Sequence, residues 1–84
     1  MNNKVLVELL VPEMETSYDV FLPINKRVGN VVILLNKMVS ELTNDCYVGS
    51  NKTALYNKDT KKKYGSNDLI YNTDIRNGTT LILL

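Results

Sequence analysis

Three sets of side chains in this sequence could do chemistry: the thiol of Cys46, five scattered aspartates, and the lysine run Lys58-Asp-Thr-Lys-Lys-Lys63. A thiol becomes a nucleophile beside a base, and a zinc ligand among other Cys or His residues. Histidine is absent and Cys46 is the only cysteine, so both uses lack their partners. Cys46 is expected in or under the loop after the helix, as a small buried hydrophobe rather than a reactive thiol. Asp19, Asp45, Asp59, Asp68 and Asp74 are spread among turns, where short carboxylates bond local backbone. Lys58, Lys61, Lys62 and Lys63 could contact an acidic partner or phosphate. They have neither interleaved aromatics nor a wider basic face, so they read as a solvated hairpin protecting a sheet edge. No catalytic, metal-binding or cofactor-binding residue is expected.

The elements that must hold these residues are short. Eighty-four residues allow one small domain, 1–84. With 44% hydrophobic and 23% charged residues and a net charge of +1, composition favours neither a nucleic-acid binder nor a membrane-surface protein. A single cysteine cannot form an internal disulfide, which points to a reducing, cytoplasmic setting. The first apolar run is broken by Glu8 and Pro12, unlike a signal peptide, and no stretch nears the roughly 18 apolar residues of a membrane span. Asn51-Lys-Thr and Asn77-Gly-Thr match the glycosylation pattern, but without an export signal they carry no weight.

Lys4 to Val11 is β-branched and aliphatic, with Val5, Val7, Leu9 and Val11 on one face of a strand. Pro12 to Ser17 turns the chain, and Tyr18 to Leu22 returns as an antiparallel partner. Asn25 has the residue type of a helix N-cap, with Ile24 as a possible staple. Val28, Val31, Val32, Leu35, Met38, Val39 and Leu42 then repeat at helical spacing, predicting a helix over about 26–42. Ile33 lies opposite this stripe and is expected to be exposed. Thr53 to Asn57 is a third strand, Lys61 to Tyr64 a short edge strand, and Thr79 to Leu84 the last, entered through an Asn77-Gly78 turn. Asp68 to Ile70 and Thr73 to Ile75 read as tight or 3₁₀ turns with apolar anchors.

Two hairpins either side of one helix place that helix on one face of a mixed, four- to five-stranded sheet, with the last strand parallel to the first. This is an α+β, β-grasp arrangement. The chain resembles ubiquitin along nearly its whole length, through Leu22-Pro-Ile-Asn-Lys-Arg-Val28 entering the helix, the Leu55-Tyr-Asn hairpin, and Ile75-Arg-Asn-Gly-Thr-Thr80 leading into the last strand. Within that superfamily it is most similar to the small bacterial YukD/EsaB-type proteins of type VII secretion systems, through the closing motif Asn77-Gly78-Thr79-Thr80-Leu81. The resemblance implies a non-enzymatic module serving a secretion apparatus and brings no catalytic residues with it.

If Leu81 and Leu83 face the helix, Ile82 and Leu84 face outward. Leu6 and Leu10, Phe21 and Tyr56 join them from neighbouring strands. The expected interaction patch is therefore Leu6, Phe21, Tyr56, Ile82 and Leu84, and it would serve a protein partner or a second copy of the chain. Neither nucleic acid nor membrane insertion is expected. Two other readings remain in view: a modifier or sulfur carrier, against which the Leu83-Leu84 end without Gly-Gly speaks, and a weak nucleic-acid or phosphate binder acting through Lys58 to Lys63.

Overall fold

The computed structural model describes residues 3–84, so Met1 and Asn2 of the expected domain lie outside the described residues. Strand β1 (Lys4–Val11) pairs antiparallel with β2 (Thr16–Pro23), in a register running from Lys4 opposite Pro23 to Val11 opposite Thr16. A 3₁₀ turn at Pro12–Met14 joins them, and Glu15, at φ 51°, donates its N–H to the Pro12 carbonyl at 3.0 Å. Helix α1 spans Val28–Leu42, β3 spans Leu55–Asn57 and β4 spans Thr80–Leu83. The sheet runs β2-β1-β4-β3, with β4 parallel to β1 and antiparallel to β3.

Val7, Leu9 and Val11 of β1, Val20 and Leu22 of β2, Leu55 of β3, and Leu81 and Leu83 of β4 are buried under Val28, Val31, Val32, Leu35 and Val39 of α1. Fully burying such a side chain is worth about 1.5–3 kcal/mol. That is a large share of the roughly 5–15 kcal/mol that holds a domain together. Ile70 and Ile75, both fully buried, pin the long connection from β3 to β4 onto the same core.

The helix begins at Val28 with Arg27 as its cap, not at Asn25. Residues 24 to 27 are occupied by backbone pairing. The Ile24 and Lys26 carbonyls accept the Tyr71 and Ile70 N–H groups at 3.0 Å, and Arg27 bridges to Leu69. The first helical N–H groups then find carbonyls across the fold: Val28 bonds Asp68 at 2.8 Å and Gly29 bonds Ser66 at 2.9 Å. A main-chain loop thus supplies what a side-chain cap normally would. Glycine suits position 29, because a Cβ there would stand 3.1 Å from the Ser66 carbonyl oxygen.

Three further expectations are corrected. The buried stripe ends at Val39. Leu42 is 59% exposed, Met38 is half-buried, and Tyr47, 3% exposed, joins the core after the helix instead. Cys46, its neighbour, is exposed rather than buried, because Asn44 and Asp45 at positive φ turn the chain so that Tyr47 points inward. The Lys61–Tyr64 edge strand shrinks to one bridge, Lys63 opposite Tyr56, since Lys61 adopts φ 63° to close the turn.

Candidate protein-interaction face

Alternation along each strand sends every second side chain to the side of the sheet away from α1. The registers arrange these residues in rows. One row crosses the sheet as Phe21 on β2 and Leu6 on β1. The next is Asp19, Glu8 and Thr80, reaching Lys58, whose N–H bonds the Thr80 carbonyl at 3.0 Å. The third is Ser17, Leu10, Ile82 and Tyr56, ending at Lys63 on the edge.

The five predicted patch residues do not form one even surface. Ile82 and Tyr56 are adjacent and half-buried, with Leu10 beside Ile82 in the same row. Leu6 (41% exposed) and Phe21 (64%) form a second apolar pair. The acidic row containing Glu8 and Asp19 lies between the two. Leu84, 64% exposed, sits past the end of β4, tied to Ala54 by two backbone bonds of 2.9 and 3.0 Å. Strand alternation in the sequence already sets Glu8 on the Leu6 side and Asp19 on the Phe21 side, but the expected patch named the apolar residues alone; the register brings the two carboxylates together within the face.

The turn before β4 fixes this alternation. Gly78, at φ +90°, donates its N–H to the Leu6 carbonyl at 2.8 Å, and the Asn77 side-chain oxygen accepts the Leu6 N–H at 2.8 Å. Both main-chain groups of Leu6 are therefore held by the turn, and β4 enters beside β1 in a single register.

At the β3 edge, Lys58, Lys61, Lys62 and Lys63 are all exposed. None forms an ion pair among the described residues. The loop carrying them is fastened from below. Asn57 accepts the N–H groups of Asp59 and Thr60 at 2.8 and 3.1 Å and donates to the Tyr64 hydroxyl at 3.0 Å. Tyr64 in turn donates to Asp74 at 2.6 Å. Burial, and then the hydrogen bond to Asp74, push the Tyr64 phenol up to about 12.

Beside this edge, on the helix side, α1 and residues 50–55 and 63–66 border a groove of about 650 Å³ lined by Val32, Ile33, Ala54, Leu55 and Tyr64 among others. Ile33 is 66% exposed, as its place opposite the helical stripe predicted. Tyr47 braces the groove's outer wall by donating to the Asn36 side chain at 2.7 Å, a contact that helical periodicity alone does not reveal. Among the described residues, no group of three His, Cys, Asp or Glu side chains is placed to hold a metal ion, and no helix is long and apolar enough to cross a membrane.

A mixed sheet in the order β2-β1-β4-β3 with one helix across its inner side is the ubiquitin-like β-grasp fold. No protein-family model matches the sequence, and no curated protein matches it. Solved structures of this fold do. The ubiquitin-like domain of the Mycobacterium tuberculosis type VII secretion system protein EccD1 is similar at a TM-score of 0.74 and 14% identity, with 100% of this chain and 99% of that one covered. The EccD5 ubiquitin-like domain from Mycobacterium xenopi gives a TM-score of 0.74 at 12% identity, covering 99% and 97%. A chain of the MycP5-free ESX-5 inner membrane complex gives 0.73 at 18%, with 99% of this chain and 21% of that chain covered. The present chain thus spans about a fifth of that longer one.

Proposed function

We propose that this chain is a single, non-enzymatic ubiquitin-like domain that docks the outer face of its sheet onto a protein component of a type VII secretion system, in the cytoplasm. The observation that carries the docking reading is the continuous row Leu10, Ile82 and Tyr56, with exposed Leu6 and Phe21 beyond the intervening acidic row, on a side of the sheet that no other element covers among the described residues. Exposed apolar area of this kind, bordered by charge, is typical of contact surfaces. The secretion setting is supported by likeness of fold to the EccD domains and by the closing motif at Asn77 to Leu81.

The test is capture of type VII membrane components from extracts of the native host by the tagged chain, identified by mass spectrometry. Tyr56→Glu and Ile82→Glu should abolish capture while the circular dichroism spectrum stays that of the parent. Undiminished capture by both variants would rule out this face.

A further inference from the structure

We propose that the outer sheet face pairs with the same face of a second copy of this chain, about a two-fold axis parallel to the strands at the β1–β4 seam. The inference rests on the outer face being an interaction surface, and it names one occupant of that surface.

Charge is ordered across the sheet. The second row reads Asp19, Glu8, Thr80, Lys58 from β2 to β3, so its acidic end and its basic end lie at opposite edges. The Asp19 carboxylate has no hydrogen-bond or ion-pair partner among the described residues, and the Glu8 carboxylate accepts the Thr80 hydroxyl at 3.3 Å. Lys58 and its loop neighbours are likewise without ion pairs there. A two-fold interface must be complementary to itself. Rotation about an axis along the strands lays Asp19 of each copy over Lys58 of the other, and Glu8 over Thr80.

Rotation about an axis running across the strands keeps each strand over its own copy and, when the axis follows this row, stacks carboxylates on carboxylates and lysines on lysines. Like charges facing each other disfavour that packing. The favoured rotation also sets Leu10 against Ile82 of the second copy and Ile82 against its Leu10, sheet on sheet about 10 Å apart. A standard interface takes about 800 Å² from each partner, roughly a seventh of the 5451 Å² surface of this chain. The central contacts are the half-buried Leu10 and Ile82 with a row of exposed charges beside them, so the pairing is a weak, reversible one.

Sedimentation equilibrium of the full chain, followed up to millimolar concentration, tests the proposal. The parent should show a monomer–dimer equilibrium that Ile82→Glu abolishes. Asp19→Lys and Lys58→Glu should each weaken it about tenfold, and the double variant should recover most of that loss, because the exchanged charges meet again across the axis. A chain that stays monomeric throughout overturns the proposal, as does a dimer in which the double variant is no better than the singles. If the chain is monomeric yet Ile82→Glu still abolishes capture of secretion components, the pairing fails and the docking reading stands. If dimerisation follows the charge exchange but capture is unaffected, the pairing holds and the secretion partner does not.

Discussion

The two faces of the sheet are built from the same strands, often from adjacent residues, yet they are assembled on different terms. On the inner face Leu9, Leu55, Leu81 and Leu83 are at most 1% exposed and meet α1. On the outer face Leu6, Phe21 and Leu84 are 41–64% exposed, with carboxylates among them. Apolar residues lie on both faces, but among the described residues only one has a layer packed against it. Hydrophobicity alone therefore does not separate buried from exposed strand residues in this chain. Which parity of each strand meets the helix does.

The largest effect that would sharpen this contrast is the loss of an inner side chain. Leu9→Ala should destabilise by about 2–5 kcal/mol in urea unfolding, through lost burial and the cavity left behind. The turn that sets the parity of β4 comes next. Gly78→Ala forces a Cβ into φ +90°, so it should cost at least about 1 kcal/mol and weaken the ties to Leu6.

A smaller effect is confined to alkaline pH. The Tyr64 phenol, raised from 10.0 to about 12 in the folded chain, favours folding in its protonated form. Its contribution is complete below pH 10 and disappears as pH climbs towards 12. The stability gap between the parent and Tyr64→Phe should narrow across that window; a gap constant with pH would mean that the phenol is not coupled to folding. The smallest effect belongs to the outer face. Phe21→Ser should change stability by no more than about 0.5 kcal/mol, and a core-sized loss there would break the comparison between faces.

Much of the architecture was legible because alternation and helical period are strong local signals. Val7, Leu9 and Val11 lie inward as their spacing required, and Val28 to Val39 form the buried stripe. What escaped the sequence was set by contacts far along the chain. Asn25 has a capping side chain, yet Asp68 and Ser66 cap the helix through main-chain carbonyls some 40 residues away. Leu42 continues the helical period but has no layer to meet, while Tyr47 reaches the core only because Asn44 and Asp45 adopt positive φ. That backbone choice also leaves Cys46 exposed. For the candidate face, strand parity gave the apolar members. The same parity put Glu8 and Asp19 on that side; that they stand opposite each other and split the apolar residues into two groups followed only from the β1–β2 register.

The most direct measurement is the unfolding free energy of two neighbours in β4, Leu81→Ala and Ile82→Ala, whose side chains take opposite faces. If the outer row exists for contact with another molecule, Ile82→Ala will cost less than half of what Leu81→Ala costs. Equal losses would mean that the outer row holds the fold together, and the assignment of that face to recognition would be wrong.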